Sequence, residues 1–110
     1  MLLEGGANVQ RANAEQRTAL HEAAWNRYLE VCRLLLDWGA KVDPLDKWKD
    51  TPLHDAARLG YLSVVKLLVE TGADVRLRNN KGQTSSDVAW SNGMLDVAEW
   101  LNSLSRGKEA

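Results

Sequence analysis

Apolar residues along the chain fall into short clusters that recur at a fixed distance. Leu29-Glu30-Val31-Cys32-Arg33-Leu34-Leu35-Leu36 is matched by Leu62-Ser63-Val64-Val65-Lys66-Leu67-Leu68-Val69. Both are apolar around most of a helical circumference, as suits helices buried on more than one side. Ahead of each lies a shorter segment, Thr18-Ala19-Leu20-His21-Glu22-Ala23-Ala24 and Thr51-Pro52-Leu53-His54-Asp55-Ala56-Ala57. Each Thr can cap a helix through its hydroxyl, and Pro52 falls at the first helical position, where its missing N–H costs nothing. Gly60 and Gly93 mark the turn between the two helices of a unit. Gly39 and Gly72 stand where the second helix should end. The polar runs that follow are too short for another element and read as turns or hairpins.

The offset is 33 residues throughout. Residues 13–45 laid over 46–78 without gaps share 13 identities in 33 positions, so the two segments are copies of one unit. A third copy starts at Asn79 and keeps Thr84, Ala89, Gly93, Leu95, Val97 and Leu101 in step. Each unit reads as turn, helix, turn, helix, loop. One unit cannot bury its apolar face alone, and about three stacked units can. The expected architecture is an all-α repeat solenoid with β-hairpin-like loops. Its expected divisions are a partial unit at 1–12, full units at 13–45 and 46–78, a C-terminal capping unit at 79–105 and a polar tail at 106–110.

The Thr-Pro-Leu-His-x-Ala-Ala segment, followed by Gly-Tyr-Leu, Val-Val-x-Leu-Leu and Gly-Ala-x-Val at a 33-residue period, resembles the ankyrin repeat. The resemblance covers residues 1 to about 104, and 46–78 matches nearly everywhere. Several positions depart from it. Residues 1–12 match only the end of a second helix and its loop, which implies either a longer array or an unusual N-terminal cap. Arg27 stands where Gly60 and Gly93 stand; if that slot is left-handed, Arg costs about 1–2 kcal/mol. Gln16 and Lys49 replace the turn glycine that survives at Gly82. In the third unit Ser85-Ser86-Asp87 replace Pro-Leu-His, and Trp90 and Trp100 replace small or aliphatic residues, as in a cap.

Composition narrows the function. The 110 residues are 45% apolar and 26% charged, with a formal net charge of −1, so nothing global favours nucleic acid or an anionic membrane. No apolar run is long enough to span a bilayer. The single cysteine, Cys32, cannot build a disulfide framework or a zinc site, and fits a reducing, intracellular compartment, cytoplasm or nucleus. It sits in an apolar helix without an adjacent base and reads as a small buried hydrophobe. His21 and His54 occupy one slot in consecutive units. The resemblance implies a structural role there, bonding turn backbone between units; a metal pair or general base would need further ligands that the spacing does not supply. No catalytic residue, metal site, cofactor or small-molecule substrate is expected. Glu22 and Asp55 read either as solvated charge on the first helices or as partner contacts.

The remaining signal is aromatic. Five Trp stand against two Tyr and no Phe. Through the resemblance, a protein or peptide partner is expected on the concave side, formed by hairpin tips and the outward face of the first helices. The matching positions are Trp25, Asn26, Leu45, Lys47, Trp48, Asp50, Arg58, Leu59, Arg78 and Lys81. Trp25 and Trp48 fall on variable slots of adjacent units and are expected to lie side by side, with Leu45 and Leu59 extending the patch. The alternative for Trp48 is to fold onto its own hairpin. Trp38 lies away from the tips. The tips lean basic, so the expected ligand has an apolar anchor and acidic flanks. The module would belong to a larger scaffold, signalling or regulatory protein; the alternative is a structural spacer within a longer ankyrin array.

Overall fold

The structure, a computed structural model, describes residues 11–109. The chain runs through α1 (Ala19–Trp25), α2 (Leu29–Asp37), α3 (Pro52–Leu59), α4 (Leu62–Glu70), α5 (Ser85–Ser91) and α6 (Leu95–Glu109). Among the described residues there is no strand, only an isolated antiparallel bridge between Ala12 and Thr18. The solenoid is therefore all-helical, and its hairpin-like loops close as tight turns. The partial unit expected at 1–12 lies almost wholly outside the described residues. The last helix of the third unit continues past the boundary expected at 105 and reaches Glu109, through the stretch that reads as a polar tail.

Helices of seven to nine residues are too short to persist alone in water, so stacking must hold them. First helices stack in one row, α1 on α3 on α5, and second helices in another, α2 on α4 on α6. Ala23, Ala24, Ala56, Ala57 and Ala89 are buried where the first helices meet, and their small side chains set the close spacing. Leu20, Leu35, Leu53, Val64, Val65 and Leu68 fill the space between rows. Burial of each such side chain is worth about 1.5–3 kcal/mol. Cys32 belongs to this core, and burial pushes its thiol up to about 11, which removes it as a nucleophile. Trp90 takes the slot of Ala24 and Ala57 but is 65% exposed, with no further first helix packed on α5 among the described residues.

Each first helix begins in the same way. Thr18, Thr51 and Thr84 are N-caps, each hydroxyl accepting from the backbone N–H three residues on. The side chain at that third position returns the bond to the cap N–H: His21, His54 and Asp87. Because His21 Nδ1 accepts from the Thr18 N–H, the other ring nitrogen carries the proton and donates to the Asp50 carbonyl at 2.8 Å. His54 repeats this one unit later, with Nε2 to the Gln83 carbonyl at 2.9 Å. The histidines thus tie a helix start to the hairpin of the following unit. Burial, aided by Arg17, lowers the proton affinity of His21, in keeping with a neutral ring.

Three non-glycine residues have positive φ: Gln16 (64°), Arg27 (61°) and Lys49 (63°). These are the positions where glycine is missing from the repeat pattern, and Gly60 and Gly82 hold the same conformation at 77° and 76°. The backbone demanded by the fold is kept where the residue best suited to it is absent.

Candidate functional site

The hairpin tips are built from one device used three times. The side-chain oxygen of Asn13 accepts from the N–H groups of Glu15 and Arg17. Asp46 Oδ1 does the same for Trp48 and Asp50, and Asn79 Oδ1 for Lys81 and Gln83. A short polar side chain that bonds the backbone ahead of it fixes such a turn without a sheet. Neighbouring tips are laced together: Lys47 N–H donates to the Glu15 carbonyl and Asn80 N–H to the Trp48 carbonyl, both at 3.0 Å. Trp48 is held at the crest of the second tip by this lacing.

Beside the tips lies a groove of about 340 Å³ lined by Arg17, Trp25, Trp48, Asp50, Asp55, Arg58, Asn79, Asn80 and Lys81. Trp25 and Trp48 are each 40% exposed, and both line it. Of the other expected contact residues, Asp50, Arg58 and Lys81 line it too. Asn26, Leu45, Lys47, Leu59 and Arg78 do not. Asn26 caps the end of α1, its amide donating to the Glu22 carbonyl. Lys47 lays its ammonium over the Trp48 ring, 4.6 Å from the centroid. Leu45 is exposed and Leu59 half-buried. Arg78 donates to the Gly82 carbonyl at 2.8 Å, on its own tip.

Asp50, expected at an exposed tip, is in fact buried, with 7% exposure. It is sealed because Arg58 and the amide of Asn79 close over it, the latter at 3.0 Å. Asp55 departs likewise from the solvated reading, being fully buried; Glu22 remains exposed. Beneath the groove these acids form one network. Arg17 donates to Asp46 and to Asp55, each at 2.8 Å, and to Glu22 at 2.9 Å. Arg58 reaches Asp50 at 3.3 Å and Asp55 at 3.4 Å. Asp46, Asp50 and Asp55 place carboxylate oxygens within 4.8 Å of one another. Every one of those oxygens already accepts from a guanidinium, an amide or a backbone N–H, so the cluster is complete without a metal ion.

Three carboxylates face two guanidinium groups, which leaves a surplus of negative charge in a poorly solvated place. Burial accordingly raises Asp55 from an ordinary 3.8 to about 7, against the pull of Arg17. Arg17 moves the other way in effect: burial disfavours its charge, but Asp55 and Glu22 outweigh that and hold its proton more tightly than usual. Both shifts express one imbalance, in which the cation is well served and one acid is not.

Only part of this network leaves a trace in the sequence. Asn13, Asp46 and Asn79 recur at the 33-residue spacing, which marks them as more than loop polarity, although loop polarity is how they first read. Arg17 and Asp55 carry no local mark of burial, because the partner that buries each lies 38 residues away.

A family model described as ankyrin repeats, in three copies, matches residues 1–46 and 39–109. No curated protein matches the chain.

Proposed function

This chain belongs to the ankyrin repeat family, and from that premise we propose that it holds a protein or peptide on the groove between Trp25 and Trp48. Ankyrin repeats are generally protein–protein interaction modules and typically non-catalytic. The observation that carries the reading is the pairing of two half-exposed indoles across adjacent units over a polar floor. Aromatic and Arg anchors in such settings dominate interface energetics, at about 2 kcal/mol or more for a strong contact. Charge supports an acidic partner. The acids at the groove are sealed beneath it, whereas Arg58 keeps 27% of its side chain in solvent and Lys81 is exposed on the groove's rim. The surface offered to a ligand is apolar and cationic, and suits an apolar anchor with acidic flanks. Arg78 and Lys81 extend the basic rim toward the third unit. The module would act inside a larger scaffold, signalling or regulatory assembly. No described helix is long and apolar enough to cross a membrane.

The test is capture from cell extract with wild type against the Trp25→Ala/Trp48→Ala double variant and a Lys81→Glu variant. Partners that use the groove are lost with the first and weakened with the second, and wild-type binding falls as salt rises. A partner set unchanged by both variants, with circular dichroism intact, would remove this surface from consideration.

A further inference from the structure

The groove floor has a property that simple docking does not require. Arg58 is shared: its contacts with Asp50 and Asp55, at 3.3 and 3.4 Å, are longer than the 2.8 Å contacts of Arg17, and it is more exposed than Arg17. It is the guanidinium best placed to turn toward an incoming anion. Doing so would withdraw positive charge from Asp55 and add a fourth carboxylate near a cluster that already holds three acids against two bases.

We propose that docking of a carboxylate-bearing segment onto Arg58, between Trp25 and Trp48, takes up a proton in the Asp46–Asp50–Asp55 cluster, so that the groove closes on its partner more tightly as pH falls. This rests on the groove reading above. The step is a protonation only: a proton from solvent adds to a carboxylate oxygen of the cluster, and no covalent bond between the chains forms or breaks. Asp55 is the acceptor best suited, since it is sealed, shares Arg58 and already holds its proton up to about 7. The charged groups around it come from every element packed there. Arg17 comes from the first hairpin, Asp46 and Asp50 from the second, Arg58 from α3 itself, and Lys81, which lines the same groove, from the third hairpin. Glu22 on α1 acts through Arg17, and His21 on α1 faces Asp50 through its bond to the Asp50 carbonyl. His21 uses both ring nitrogens, accepting from the Thr18 N–H and donating to the Asp50 carbonyl, and burial lowers its proton affinity, so its environment opposes proton uptake there.

Linkage sets the sign. A group that binds its proton more tightly in the complex than in the free protein favours binding at low pH; the advantage is full below its value in the free protein and is lost as pH rises through its value in the complex. One additional unit of proton affinity in the complex would give an affinity about fivefold higher at pH 6 than at pH 8. The probe is a synthetic Leu-Leu peptide flanked by two Glu on each side, with its Gln counterpart as the uncharged control. Indole N–H resonances of Trp25 and Trp48 report binding. Calorimetry at pH 7 in two buffers of different ionisation enthalpy counts protons. The expected result is indole shifts with the Glu peptide, weaker ones with the Gln peptide, fractional proton uptake in wild type, and a flat pH profile in Asp55→Asn. Binding of the Glu peptide with no proton uptake and equal affinity at pH 6 and 8 overturns the coupling and leaves the groove standing. Indoles unmoved by either peptide at any pH overturn the groove, and the coupling with it. The buffer comparison needs only wild type, so it decides the matter even if Asp55→Asn fails to fold.

Discussion

At the junction of the first and second units, Arg17 reaches across to Asp46 and Asp55. At the junction of the second and third, the slots are the same and the chemistry is not. Asp50 stands where Arg17 stood, Asn79 replaces Asp46, and Val88 replaces Asp55. Asn79 donates to Asp50 at 3.0 Å, a neutral echo of the Arg17–Asp46 pair, and Val88 is buried in the place of a buried acid. The histidine bonds to the next hairpin are nearly identical, 2.8 Å and 2.9 Å. Stacking therefore does not require an ion network. Where the unit can use an apolar residue, the first junction keeps three acids and a guanidinium at a desolvation cost of several kcal/mol per ion before pairing. That charge lies directly under the groove.

The largest expected effect comes from removing the cation and leaving its acids. Arg17→Ala strands Asp46 and Asp55 in a dry site, and should lower stability by about 3–5 kcal/mol in urea unfolding. A loss below about 1 kcal/mol would mean that water replaces the guanidinium freely. The next effect is more telling, because it removes the ions of the first junction without leaving a charge behind. The triple variant Arg17→Leu/Asp46→Asn/Asp55→Val gives the first junction the amide and the apolar residue of the second; position 17 is made apolar because the slot of Arg58, which pairs with Asp50, is held by Trp25 in the first unit. It should equal wild type or exceed it by up to about 4 kcal/mol, since apolar residues commonly replace buried ion pairs without loss. It should also change the pH response. In wild type, Asp55 near 7 binds a proton in the folded state that the unfolded chain, near 3.8, does not hold above about pH 5. Stability contributed by that proton is present at low pH and is lost as pH rises through 7. The difference between wild type and the triple variant should therefore shift toward the variant between pH 4 and 7. A triple variant as weak as Arg17→Ala would show that the ion network is structural.

Much of this stack is legible in the chain because its rules are local. Thr18, Thr51 and Thr84 announce helix starts. Gly60 and Gly93 announce turns, and the 33-residue offset of His21 and His54 gives the register of one unit on the next. The left-handed slots at Gln16, Arg27 and Lys49 are legible as well, by comparison with the glycines of sister units. Trp25 and Trp48 are legible as surface because they interrupt slots that elsewhere vary. The groove floor is not. Asp50 sits in a polar hairpin, and nothing in its neighbours says that Arg58 and Asn79, eight and 29 residues on, will cover it. Asp55 looks like the exposed Glu22 of the previous unit because the two share a slot. They differ in what lies on the N-terminal side: Arg17 covers Asp55, and no described residue does the same for Glu22 from a preceding unit. The same slot is buried or exposed according to the side chain that reaches it from the neighbouring unit.

A last contrast between the units is smaller and concerns backbone. Gly60 turns the second unit with φ 77°, and Arg27 turns the first with φ 61°. Holding an L-residue there costs about 1–2 kcal/mol. Arg27→Gly relieves that strain, but the glycine adds about 0.5–1 kcal/mol of backbone entropy to the unfolded chain. It also deletes a contact across the first junction, since the Arg27 guanidinium lies over the Tyr61 ring at 5.7 Å, worth about 0.5–1 kcal/mol at an exposed site. In the wild-type background these terms nearly cancel, and Arg27→Gly should move stability by less than about 1 kcal/mol. In a Tyr61→Leu background the ring contact is already gone, so the same substitution should come out more stabilising by about 0.5–1 kcal/mol. Equal effects in both backgrounds would show that the ring contact contributes nothing. The first junction would then be held by its apolar packing, its buried charges and its histidine without that contact, and the arginine at the turn would be strain without return.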